Sequence, residues 1–215
     1  RLSGAKLRVF RHNDLKHLHE ILQKSAGEFR RVWIVVESVY SMDGDLAPLL
    51  DLVDLKEAHG ANLILDEAHA TGLYGEGRRG LAEEFGVAER VEVQMGTLGK
   101  ALGAAGGFVC GTADMVELLR HRARSFVFST ASVPAQTAAA LAGLAWHAVQ
   151  VKARVQQLAV VGSARALDSR RQCAATLHQR FVQCRSGLRW HLAIGNRLQV
   201  YRHGCLVEHP QSAQW

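Results

Sequence analysis

One lysine stands where backbone could approach a ligand closely. Lys100 lies in Gly96-Thr97-Leu98-Gly99-Lys100-Ala101-Leu102-Gly103-Ala104-Ala105-Gly106-Gly107, just after the apolar run Val91 to Met95. Most lysines are solvated loop residues. A lysine among small residues can also be a nucleophile that forms a Schiff base with a carbonyl. Two further polar sites bear on that choice. Asn62-Leu63-Ile64-Leu65-Asp66-Glu67-Ala68-His69 ends an apolar run in an acid, with a histidine three residues on. Ser38-Val39-Tyr40-Ser41-Met42-Asp43-Gly44-Asp45 follows another apolar run, Val32 to Val36. In α/β folds a polar residue at the carboxyl end of a buried strand points at a ligand crevice. Three such sites, each closing an expected strand, argue together for a nucleophile with supporting groups.

The elements that must position these residues are readable. Arg31 to Glu37 is an apolar, β-branched run, the pattern of a strand buried on both faces. Asn62–Asp66, Val91–Met95 and Gly107–Cys110 are the next expected strands. Helices are expected over Leu15–Lys24, Leu46–His59, Arg78–Phe85, Asp114–Arg124 and Pro134–Gln150. Asn13 or Asp14 would cap the first of these, and Leu46, Leu49, Leu50, Val53 and Leu55 give the second an apolar stripe. Strands alternating with helices imply an α/β fold: a mostly parallel sheet covered on both faces, in three layers.

The chain resembles the α-oxoamine synthases, pyridoxal phosphate enzymes of the aspartate-aminotransferase fold. The resemblance rests on His12-Asn13-Asp14, Glu37 to Asp45, Asp66-Glu67-Ala68-His69, Thr97-Leu98-Gly99-Lys100 and Phe128-Ser129-Thr130, in the family's order from about Arg1 to Gln150. It implies residues 1–150 as a partial fold type I large domain that binds pyridoxal 5'-phosphate. Lys100 would hold the cofactor as a Schiff base and act as general base, and burial beside a cationic ring would lower its pKa. Asp66 would favour the protonated ring nitrogen, and His69 would hold the phenolic oxygen and share in catalysis. Thr97 would bond the phosphate, and Ser41 would meet the cofactor. Thr130 would reach the phosphate of the neighbouring subunit's cofactor, so the site would be shared across a homodimer.

The reaction so implied is condensation of an amino acid with an acyl thioester, with loss of carbon dioxide. Within the family the likeness is to the members that use alanine and a pimeloyl thioester in biotin synthesis; glycine- and serine-using members are the alternative. The family's phosphate loop and ring-stacking histidine are expected upstream of Arg1, and its substrate-carboxylate arginine in a C-terminal domain that the tail does not resemble. The chain therefore reads as an internal fragment, and weak cofactor binding with little or no turnover is the expectation. An inactive, dimerising remnant is the non-enzymatic alternative.

Composition bounds the rest. The 215 residues allow one domain with a real core, and no apolar run is long enough to span a bilayer. Four cysteines without metal-like spacing argue against a metal site and a disulfide framework and fit a reducing cytoplasm. The formal charge is +6, yet residues 1–150 hold 16 basic and 18 acidic side chains, and residues 151–215 hold 10 and 2. The basic character thus belongs to a tail without firm periodicity after Asp168, either an out-of-frame reading or a divergent segment. A basic arm could serve nucleic acid, and Asp66-Glu67-Ala68-His69 also matches the acidic motif of DExH-box ATPases. That reading lacks its phosphate loop: Gly96 and Gly99 are too close, and Ala101 follows Lys100. Nucleic acid and membrane are therefore not expected partners.

Overall fold

The computed structural model describes residues 4–161, 193–195 and 205–210. The tail segments 162–192, 196–204 and 211–215, with Cys173 and Cys184, lie outside the described residues.

A seven-stranded sheet organises the chain. Its strands are β1 (Lys6–Val9), β2 (Phe29–Glu37), β3 (Asn62–Asp66), β4 (Val93–Thr97), β5 (Gly107–Gly111), β6 (Ala193–Gly195) and β7 (Cys205–Pro210), in the spatial order β1-β7-β2-β3-β4-β5-β6. The centre is parallel: β2 pairs with β3, and β3 with β4. The pairs β1–β7, β2–β7, β4–β5 and β5–β6 are antiparallel. Following those pairings across the sheet, only β5 and β7 run against the common direction. The sheet is thus mixed at its flanks and parallel where it carries the motifs. Two tail segments, β6 and β7, join it at opposite sides of that centre.

Helix α1 (Leu15–Ser25) begins at Asp14, whose carboxylate accepts the His17 N–H at 2.9 Å. Its buried residues Leu18, Ile21 and Leu22 recur at helical spacing and face the sheet. Helix α2 (Leu49–Ala58) starts three residues later than its apolar stripe suggests. Leu46 is instead held in a β-bridge with Val39, and Pro48 takes the capping position. The core joins Leu18, Leu22, Leu52 and Val53 of these helices to Ile34 and Val36 of β2 and Leu63 and Leu65 of β3. Truncating one such leucine to alanine costs about 2–5 kcal/mol.

Helix α3 (Leu81–Glu84) is a single turn, shorter than the expected Arg78–Phe85, because Arg78 and Gly80 have φ of +58° and +138°. A 3-10 turn, Ala88–Arg90, leads into β4. That strand runs on through Gly96 and Thr97, past the expected Met95, because Phe108 and Gly107 of β5 pair with them. A Cβ on Gly96 would lie 2.5 Å from the Phe108 ring, so glycine permits this close approach. Helices α4 (Ala113–Arg122), α5 (Arg124–Val127) and α6 (Pro134–Val161) follow. Helix α6 outruns the expected Gln150; between Gln150 and Gly162 the sequence holds no glycine or proline.

Candidate active site

Parallel register builds the site. Glu37 of β2 is paired with Asp66 of β3, and Asp66 with Met95 of β4, so the three chains leave the sheet at one edge. The ladder continues one step beyond: Ser38 N–H donates to the Asp66 carbonyl at 2.9 Å, and Glu67 N–H to the Met95 carbonyl at 2.7 Å. The three strand ends therefore share one edge of the sheet, and Asp66, His69, Ser41, Thr97 and Lys100 lie on or just beyond them.

Asp66 is buried, and its Oδ1 accepts the Ala68 N–H at 2.9 Å. Burial pushes its carboxyl above the usual carboxylate range. The Ala68 N–H opposes that rise, the nearby Glu37 charge adds to it, and Lys100 and His69 oppose it. Lys100 Nζ and His69 Nε2 are 2.7 Å apart. The contact shares one N–H and one lone pair, so the two groups cannot both be cationic within it. A carboxylate, an imidazole and an amine thus converge from two loops.

Lys100 is exposed, which corrects the expectation that it is buried. Its neighbours Gly99, Ala101 and Gly103 are too small to cover it. The loop beneath it is nonetheless fixed. Thr97 Oγ1 donates to the Gly106 carbonyl and accepts the Gly99 N–H, each at 3.2 Å, so this hydroxyl braces the loop from inside. Leu98 and Leu102 are buried against Ala140 of α6. His147 Nε2 donates to the Ala101 carbonyl at 3.0 Å. Gly143 lets the helix approach, since a Cβ there would stand 2.6 Å from the Leu102 carbonyl oxygen.

The Ser41 loop is tied at both ends. Ser41 N–H donates to Glu37 Oε2 at 3.0 Å. Asp45 Oδ2 meets His12 Nε2 at 2.8 Å and Asn13 Nδ2 at 2.7 Å. His12 and Asn13 thereby link the loop to the cap of α1. The Ser41 side chain is exposed above this frame. Thr130 lies exposed between α5 and α6, and no hydrogen bond among the described residues joins it to the other groups.

Sequence reasoning gave no role to Glu67, which is almost fully buried. Its carboxylate accepts Ser38 Oγ–H at 2.6 Å and the N–H groups of Leu81 and Ala82 at 3.0 and 2.8 Å. It therefore caps α3 and locks the strand ends beneath the site. Burial raises its pKa, and those three donors oppose the rise. The signal available in sequence was its neighbour: an acid one residue past Asp66 must point to the opposite face.

Comparison with known proteins decides the ancestry. Residues 1–181 match the family described as aminotransferase class I and II. The chain belongs to that family. Among curated members it is 50% identical over 159 residues to an 8-amino-7-oxononanoate synthase of Anaeromyxobacter dehalogenans, covering 74% of this chain and 40% of that protein. It is 52% identical over 143 residues to the Geobacter sulfurreducens protein of the same name, covering 66% and 36%. Among solved structures, a Sphingomonas wittichii serine palmitoyltransferase matches at 37% identity with a TM-score of 0.60, covering 64% of this chain and 34% of that one. The Francisella tularensis 8-amino-7-oxononanoate synthase matches at 32% identity and a TM-score of 0.57, covering 68% and 42%. The chain thus spans about two fifths of the length of such aminotransferase-family relatives. The family match also removes the ATPase reading of Asp66 to His69.

Proposed function

We propose that this chain carries the lysine-bearing part of a pyridoxal phosphate-dependent α-oxoamine synthase, of the kind that condenses alanine with a pimeloyl thioester for biotin synthesis. The observation that carries the reading is the convergence of Lys100, His69 and buried Asp66. The donor set fits the ring half of the cofactor. Asp66 would pair with its ring nitrogen, His69 would donate to its phenolic oxygen, and Lys100 would take its aldehyde carbon. Identity near 50% with curated 8-amino-7-oxononanoate synthases supports the biotin-synthesis member of the family.

When bound, pyridoxal phosphate supplies an electron sink for the carbanion at the amino acid's α-carbon. This chain's own residues would do the rest. Asp66, buried, would lie beside the ring nitrogen and favour a positive charge on it. His69 would donate one N–H to the phenolic oxygen of the cofactor. Lys100 Nζ would accept the α-proton as general base. Thr97 keeps the lysine loop closed from within.

Thr130, its exposed neighbour Phe128 and the exposed apolar side chains Leu141 and Trp146 of α6 support a homodimer with a shared site. A cytoplasmic setting is consistent with the reading, and no helix among the described residues is long and apolar enough to cross a membrane.

Alanine α-proton exchange in deuterium oxide, with added pyridoxal phosphate, tests the function. Exchange in the wild-type chain and none in Lys100→Ala supports it. Exchange that survives Lys100→Ala contradicts it. A second reading, an inactive remnant of such a synthase, is favoured by the exposure of Lys100; cofactor capture at Lys100 without proton exchange would select it.

A further inference from the structure

A second carboxylate stands beside the first. Glu37 is 5% exposed, closes β2, and is the register partner of Asp66 at 6% exposed. Partners in a parallel ladder project their side chains to the same face. Glu37 therefore shares the crevice face with Asp66, while Glu67 turns away toward Ser38 and α3. Its Oε2 accepts the backbone N–H of Ser41 at 3.0 Å. One side chain thus touches the base of the Ser41 loop and borders the acid that would meet the cofactor ring.

We infer that Glu37 is a positioning residue of this site: it fixes the Ser41 loop through its backbone amide and, as a like charge beside Asp66, sets the ionisation of that carboxylate. The inference rests on the proposed cofactor reading. Its geometry stands without the cofactor.

The electrostatic half follows from the surroundings. Two carboxylates on adjacent strands of a dry edge cannot both ionise without mutual cost. The charged groups facing Asp66 are Glu37 from β2 and, from the loops, His69 and Lys100; Glu67 adjoins it in sequence. The Glu37 charge raises the Asp66 carboxyl further than burial alone does. A pyridinium nitrogen arriving between these groups would relieve that repulsion. The mechanical half follows from the hydrogen bond. An amide oxygen could accept the Ser41 N–H as a carboxylate oxygen does, so Glu37→Gln separates charge from shape, and Glu37→Ala removes both.

The test uses the cofactor-free chain, so its failure is distinct from failure of the cofactor reading. Carbon-13 carboxyl resonances are followed through a pH titration, with Asp66 assigned by its loss in Asp66→Asn. The Asp66 midpoint is expected to move to lower pH in Glu37→Gln. Ser41 amide exchange is expected to match wild type in Glu37→Gln and to quicken about tenfold in Glu37→Ala, as local opening becomes easier. In the wild-type chain the Asp66 resonance is also expected to show a second inflection, from its neighbour's titration. This last measurement needs no variant, and so holds even where a variant fails to fold. A single inflection in wild type, or an Asp66 midpoint unmoved in Glu37→Gln, would overturn the electrostatic role. Ser41 exchange unchanged in Glu37→Ala would overturn the mechanical one.

Discussion

Lys100 Nζ lies 2.7 Å from His69 Nε2, joining two loops that leave the same sheet edge from β3 and β4. The pair shares a single proton in that contact. His69 therefore acts on the lysine before any cofactor arrives: it holds the amine within the site despite the exposure of the loop. Replacing His69 with alanine should free the lysine and weaken pyridoxal phosphate capture roughly tenfold, the worth of about one charge-assisted hydrogen bond. A binding titration followed by absorbance reads this directly, and an unchanged affinity would deny the histidine that role.

Gly80 has φ of +138°, and a Cβ on it would stand 2.5 Å from the Glu67 carboxylate. Gly80→Ala should therefore destabilise the chain by about 2–4 kcal/mol, from backbone strain plus the displaced cap of α3. Urea unfolding checks it. A loss below about 0.5 kcal/mol would mean that the Glu67 cap is readily rearranged.

The folded chain holds the Asp66 carboxyl above its ordinary value of 3.8, chiefly by burial. The sign follows. The folded state binds the proton more tightly than the unfolded one, so this group's stabilisation is full below 3.8 and is lost as pH rises through the folded value. Asp66→Asn should remove that loss. The variant should melt higher than wild type at pH 7, with the gap closing in acid, while cofactor capture falls. A lower melting temperature at pH 7 would contradict this account of Asp66.

His59 shows the opposite slope. Its Nε2 lies 2.9 Å from His19 Nδ1, and its pKa is lowered from 6.5, first by burial and then by the charge of His19. The unfolded state then binds the proton more readily. Stability is present above 6.5 and is lost as pH falls through the lowered folded value. His59→Gln should flatten the stability profile as pH falls below 6.5 relative to wild type. Thermal melts across that range check it; parallel profiles would show that the pair does not couple α1 to α2.

Much of this arrangement was legible in sequence because it rests on short-range signals. The apolar runs ending at Glu37, Asp66 and Met95 are strand signals, and the polar residues at and just beyond their ends mark one edge of the sheet. A cap at Asn13 or Asp14 could be read because capping depends on residues three apart, and Asp14 is the one that accepts the His17 N–H. What sequence hid depends on partners distant in the chain. Glu67 looked like part of the motif, yet its three donors come from Ser38, Leu81 and Ala82. The short α3 follows from that carboxylate and from Gly80, neither of which periodicity reports. The brace of α6 on the lysine loop required Gly143 and His147, more than forty residues from Lys100. The exposure of Lys100 was equally hidden, since cover is a property of the assembled surface. The strand β7 pairs Cys205 to Pro210 with both β1 and β2, a contact no local pattern announces.

The most direct test of the central claim is an absorbance spectrum of the chain with added pyridoxal phosphate, before and after borohydride, beside Lys100→Ala. The account predicts a band near roughly 410–430 nm in wild type, as an activated lysine gives with the aldehyde, followed by reductive trapping at Lys100 and neither in the variant. Equal trapping in both proteins, or none in either, would contradict it.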